Sequence, residues 1–109
     1  MAFSYKVLGQ AIPSPQSNVD LYTVPAGTSA IISTVNVCNQ SLSNVTFRIA
    51  IRPAGVTGAS KHYIVYDSPL PAQDTMALSL GMSLGNTDVI TAYTFQGNVS
   101  FAVFGTEIT

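Results

Sequence analysis

The sequence predicts an all-β protein, a single antiparallel β-sandwich of about eight strands, Ig-like or jelly-roll. Three observations predict it. Apolar residues recur with period two in several stretches, the period of a strand with one buried face. Clusters of Gly, Pro and Asn interrupt the chain about every 8–12 residues, the turn spacing of sandwiches and barrels. No stretch carries sustained helical periodicity with caps.

The strands follow in chain order. Residues 5–8 form a first short run. Segment 1–16, with Pro13 and Pro15, is either an ordinary first strand followed by a loop or an N-terminal arm that pairs with a neighbouring sheet. Residues 19–24 form a second strand. Residues 28–38 are rich in β-branched side chains (Ile31, Ile32, Thr34, Val35, Val37) and apolar on both sides, like a central strand. In residues 44–52, Val45, Phe47, Ile49 and Ile51 alternate with Thr46, Arg48, Ala50 and Arg52. Residues 61–66 are a fifth strand. In residues 75–84, Met76, Leu78, Leu80, Met82 and Leu84 alternate with small or polar residues. Val89, Thr91, Tyr93 and Phe95 form a similar row, and Val99, Phe101 and Val103 close the set within residues 98–104. The link Gln96-Gly97-Asn98 predicts a tight hairpin between the last two strands. A chain of 109 residues fits one domain, 1–109.

Composition narrows the function. Charged residues make up 8% of the chain, four Lys and Arg against five Asp and Glu. An average domain has about 25%. A binder that tracks phosphates is basic, so no nucleic-acid partner is expected. No apolar run approaches the roughly 18 residues of a membrane helix, and no membrane partner is expected. The start, MAFSYKVLGQ, lacks the apolar core of a signal peptide, so the expectation is a soluble protein made in a cytoplasm. Twelve Ser and eleven Thr cover the deficit of charge, with six Asn and five Gln. Such a neutral exterior repels its own copies weakly and suits a protein that packs against neighbours.

The residues give catalysis little to work with. His62 is the one histidine, there is no nucleophile elbow around a serine, and a structural histidine is expected. Cys38, the one cysteine, follows Val37 in an apolar strand and reads as a small hydrophobe. One Cys and one His exclude a zinc cluster. Asp67, Asp74 and Asp88 make no calcium loop, and Asp74 and Asp88 read as turn residues that bind local backbone. No catalytic, cofactor-binding or metal-binding residue is therefore expected. Asn39, Asn44 and Asn98 match the glycosylation pattern but read as turn residues.

A sandwich buries one face of each sheet, which leaves apolar residues to explain. Ile32 faces opposite Ile31, Ile64 opposite Tyr63, and Phe104 opposite Val103. The expected contact surface between copies is Ile32, Ile64, Tyr66, Tyr93 and Phe104. Arg48 and Arg52, on one strand face, would meet a carboxylate, Asp67 or Glu107, within the fold or across an interface. A rival reading places a shallow sugar site at Tyr63, Tyr66, Tyr93, Asn86 and Asn98, as in a carbohydrate-binding module for host attachment.

Eight words of the sequence, in this order and spacing, carry a resemblance. They are YKVLGQ at 5–10, LYTVPAGTSAIIST at 21–34, VCNQS at 37–41, TFRIAIRPAG at 46–55, KHYIVYD at 61–67, PLPAQDTMALSLGMSL at 69–84, DVITAYT at 88–94 and NVSFAVFGTEI at 98–108. Over nearly the whole chain they resemble a family of small virion structural proteins of tailed bacteriophages, especially cyanophages. The resemblance implies particle assembly and no enzymatic activity, and it supplies no catalytic residues. LYTVPAGTSA also resembles domains of phage tail and fibre proteins. The expectation is a capsid decoration (cement) protein, located in the virion and made in the host cytoplasm. Its partners would be its own copies, as a trimer, and the major capsid protein or tail proteins. The alternative is a tail, baseplate or fibre-associated component.

Overall fold

The two-residue period of the sequence is realised as two antiparallel sheets packed face to face. The computed structural model describes residues 2–79 and 81–109. Leu80, part of the 75–84 row, and Met1, at the head of segment 1–16, lie outside the described residues. Among the described residues nine strands follow one another: β1 (Phe3–Ala11), β2 (Ser17–Thr23), β3 (Ser29–Asn39), β4 (Val45–Arg52), β5 (Tyr63–Leu70), β6 (Thr75–Leu78), β7 (Met82–Leu84), β8 (Val89–Thr94) and β9 (Val99–Ile108). Short 3-10 turns at Pro53–Gly55 and Ser60–His62 lie between β4 and β5, and no α-helix occurs among the described residues.

One sheet has the order β1-β9-β3-β6, with β7 also on β3, and the other the order β2-β8-β4-β5. An Ig-type sandwich keeps its first two strands in one sheet. Here β1 and β2 stand in different sheets, and β4–β5 is the one pairing between chain neighbours among the described residues. With β6 and β7 counted as one interrupted strand, this is the eight-stranded double Greek key of a jelly roll. The 75–84 row is thus split. β6 pairs with Val35–Cys38, whereas β7 pairs with Ala30–Ile32. The gap lies beside the point where β3 shifts register against β9, between Ile32 and Thr34.

That register shift is a β-bulge, and it changes which residues of β3 face inward. Ala30 and Ile32 are buried before it, Val35, Val37 and Asn39 after it. Gly105 makes the close approach possible. It lies opposite Ile32, and a Cβ there would collide with the Ile31 carbonyl. Gly9 is held the same way against the Leu21 carbonyl, where β1 crosses β2 at the corner of the sandwich.

Two further expectations are corrected by the topology. The link of residues 95–98 is not a hairpin, because β8 and β9 belong to opposite sheets. Gly97 (φ +84°) and Asn98 (φ +54°) turn the chain across the end of the sandwich instead. On β8 the core-facing row is Ile90, Ala92 and Thr94, all fully buried, while Thr91 and Tyr93 point outward under the arginines of β4. Thr94 is tolerated inside because its hydroxyl donates to the Thr46 carbonyl at 3.1 Å.

The core lies between the sheets. Phe47 of β4 and Phe101 of β9 meet edge-to-face across it, with ring centroids 6.1 Å apart. Around them pack Ile49, Leu70, Ile90, Val35, Val37 and Val103. One amide is buried with them. Asn39 is 1% exposed and organises two loops. Its Nδ2 donates to the carbonyls of Ser43 (2.8 Å), Leu70 (3.2 Å) and Pro71 (3.0 Å). Its Oδ1 accepts from the Ser41 amide (2.9 Å) and hydroxyl (2.7 Å).

Candidate functional site

The outward row of β4 builds the first candidate surface. Arg48, Ala50 and Arg52 stand beside Thr91 and Tyr93 of β8, and β8 in turn stands beside Asn18 and Asp20 of β2. On the other flank the β4–β5 pairing shifts register twice, between Phe47 and Ile49 and between Ile49 and Ala50. Two bulges let Tyr63 and Tyr66 approach although they are three residues apart, and their rings pack edge-to-face at 5.0 Å. The Arg48 guanidinium lies among three rings, 4.2 Å from the Tyr66 centroid, 4.7 Å from Tyr93 and 5.9 Å from Tyr63.

Both arginines are held by carboxylates. Arg48 Nε donates to Asp67 Oδ1 at 2.6 Å and its terminal nitrogen to Oδ2 at 3.2 Å, a two-pronged pair. These hydrogen bonds hold the Asp67 carboxyl below its ordinary value and push Arg48 still higher. Arg52 donates to Thr91 Oγ1 (3.0 Å), to Asp20 Oδ1 (2.8 Å) and to the carbonyls of Gly55 (3.2 Å) and Val56 (3.0 Å). Between Arg52, Asp20, Asn18, Ala50, Thr91 and Tyr63 opens a cavity of about 240 Å³.

The outer face of the other sheet is the second candidate surface, and it is apolar. Phe3, Tyr5 and Val7 of β1 stand opposite Ile108, Thr106 and Phe104 of β9. Ile31 of β3 faces Thr106 from the other side. Phe3, Tyr5, Val7 and Ile31 are exposed, Tyr5 to 78%. The charged neighbours in sequence, Lys6 and Glu107, point to the opposite side of the sheet and pair there at 2.8 Å.

The expected contact residues divide between these surfaces. Tyr66, Tyr93, Arg48 and Arg52 belong to the first, with exposed Ile64 on edge strand β5; half-buried Phe104 belongs to the second. Ile32 is corrected: it is 2% exposed and part of the core, and Ile31, at 49%, is the residue that faces out. The arginine partners are Asp67 and Asp20, and Glu107 is taken by Lys6. Of the rival sugar residues, the three tyrosines gather around Arg48. Asn86 instead accepts the Gly27 amide at 3.1 Å, and Asn98 sits in the 95–98 crossing.

The remaining polar residues serve local structure. His62 is buried and its Nδ1 accepts the Ala59 amide at 3.0 Å, on the side of the sandwich opposite the strand that carries Cys38. Asp74 and Asp88 accept turn amides, Thr75 at 2.9 Å for the former, Ala54 at 2.9 Å and Gly85 at 2.8 Å for the latter. Asn44 accepts the Ala72 amide at 3.1 Å. Phe3, Tyr5, Val7, Ile31 and Asp20 are the surface residues that sequence reasoning missed. The alternation Phe3-Ser4-Tyr5-Lys6-Val7 was the available signal for the first three.

The fold defines a two-sheet antiparallel β-sandwich of jelly-roll order. No protein-family model and no curated protein matches the chain. Among solved structures it is similar to a chain in the structure of infectious bursal disease virus, Gx strain, with a TM-score of 0.56 over 97% of its length and 15% identity. It spans 32% of that chain. At such identity the likeness is one of fold.

Proposed function

We propose that this chain is a non-catalytic structural protein of a virion, and within that class a decoration protein on the capsid of a tailed bacteriophage. The observation that carries the reading is the uncharged row Phe3, Tyr5, Val7, Ile31 and Phe104 on the outer face of the five-stranded sheet, which no other strand covers among the described residues. Contiguous apolar patches of a few hundred Å² on a small protein mark interaction surfaces, and covering them contributes about 25 cal/mol per Å² before the entropy of association. A chain with 8% charged residues opposes such contacts weakly. A trimer places three of these rows around one axis and covers them mutually. Docked on a repeated lattice, each trimer gains avidity from its several attachments. The fold shared with a chain of a virus structure and the resemblance to small phage virion proteins support the same class.

Quantitative mass spectrometry of purified phage particles, calibrated on the major capsid protein, tests the reading. Hundreds of copies per particle are expected. A few to a few dozen copies would move the protein to the tail or fibre and overturn decoration. Its absence from intact particles would overturn the virion reading altogether.

A further inference from the structure

We propose that the cavity on the outer face of the four-stranded sheet binds one neutral hexopyranose unit of a saccharide. This stands whether or not the chain decorates a capsid, because it rests on a different face. The cavity, about 240 Å³, is below the roughly 300 Å³ at which drug-sized pockets begin, a size that suits a single sugar ring. A hexopyranose presents an apolar C–H face and a rim of hydroxyls that donate and accept. Tyr63 and Ala50 line the cavity beside Asn18, Asp20 and Thr91, so residues with apolar surface and residues with hydrogen-bonding groups border one site.

The electrostatics select against ions. Arg52 spends four of its five N–H donors on Thr91, Asp20 and two backbone carbonyls. An anion would have to displace Asp20 or sit against its charge, and a cation would sit against the guanidinium. What is left open is suited to hydroxyls. Among the described residues, Asp20 Oδ2 and the Asn18 amide carry no side-chain hydrogen bond, although both line the cavity. Arg52 is fixed by its four bonds, and a fixed donor costs little entropy when ligand arrives.

Nuclear magnetic resonance on the full chain, isotope-labelled on nitrogen, tests this with the methyl glycosides of glucose, galactose, mannose and N-acetylglucosamine at tens of millimolar. At least one should shift the amides of Asp20, Arg52, Ala59 and Thr91, with millimolar affinity. Tyr63→Ala should weaken binding at least tenfold. Tyr63 is half-buried, so Gly58→Leu provides a second variant: a Cβ at Gly58 would lie 3.8 Å from Arg52 Cδ, an ordinary contact, and the longer side chain would fill the cavity. That folded variant should lose the shifts. The proposal is overturned if none of the four glycosides moves these amides, if folded Gly58→Leu binds as the parent does, or if inorganic phosphate occupies the site and the glycosides do not.

Discussion

Tyr22 and Glu107 tie the two sheets together at one end of the sandwich. Tyr22, on β2 of the four-stranded sheet, donates its phenolic hydrogen to Glu107 Oε2 on β9 of the other sheet, at 2.6 Å. Lys6 of β1 occupies Oε1 at 2.8 Å. The Lys6 and Tyr22 hydrogen bonds hold the Glu107 carboxyl below its ordinary 4.5. Burial, and then the bond to the carboxylate, push the Tyr22 hydroxyl well above its ordinary 10.

Stability should therefore fall away on both sides of a neutral plateau. A carboxyl lowered on folding contributes above its unfolded value, and the contribution is lost as pH falls through the folded value, below 4.5. A phenol raised on folding contributes fully up to 10 and is lost as pH rises beyond it. Glu107→Gln should flatten the acid limb of a melting-temperature-versus-pH curve. Tyr22→Phe should flatten the alkaline limb and cost about 1–2 kcal/mol at neutral pH. An acid limb of unchanged slope in Glu107→Gln would show that other carboxylates govern it.

Asn39→Ala should be among the most damaging polar substitutions, at about 3 kcal/mol, because three carbonyls lose one donor and Ser41 loses its acceptor. Urea unfolding measures it. Asn39→Asp should cost a similar amount, since the carboxylate accepts from Ser41 but donates to none of the carbonyls. A loss of only a few tenths for both would mean that the two loops hold themselves.

Much of the fold was legible because one-sided burial writes itself as period two. Val45, Phe47 and Ile49 of β4, and Val99, Phe101 and Val103 of β9, are core as their alternation predicts. The failures occur where alternation breaks or inverts. Ile31 and Ile32 look equivalent in sequence, and the register shift after Ile32 is set by Gly105, 73 positions away by the numbering. On β1, Phe3, Tyr5 and Val7 point out and Lys6 lies on the other face, where it pairs with Glu107. The tyrosine cluster at Arg48 needs two bulges in β5 that no local pattern announces. The hairpin expected at residues 96–98 fails because turn chemistry does not encode which sheet comes next.

The two kinds of glycine should separate cleanly. Gly105→Ala puts a methyl against the Ile31 backbone, which has no flexible end to yield, and should cost more than about 3 kcal/mol or prevent folding. Gly27→Ala has open space and only its φ of +74° against it, and should cost about 1 kcal/mol. Chemical denaturation of both variants checks the contrast. Equal losses would mean that the close approach of β9 to β3 relaxes at little cost.

Adjacent isoleucines on β3 provide the sharpest test of the apolar face. Ile32→Ala removes a core side chain and should cost about 3 kcal/mol, whereas Ile31→Ala should stay within about 0.5 kcal/mol. Introducing charge separates them further. Ile32→Asp buries a carboxylate without a partner and should abolish folding. Ile31→Asp and Tyr5→Asp leave the monomer folded but place like charges wherever two copies of the row meet, so self-association should weaken at least tenfold for each. Circular dichroism reports the fold, and sedimentation velocity over a concentration series reports the assembly. If Ile31→Asp and Tyr5→Asp fold normally and associate like the parent, copies of this chain do not meet through the five-stranded sheet. If the parent is monomeric at high micromolar concentration, copies of this chain do not cover the row and the trimer is overturned.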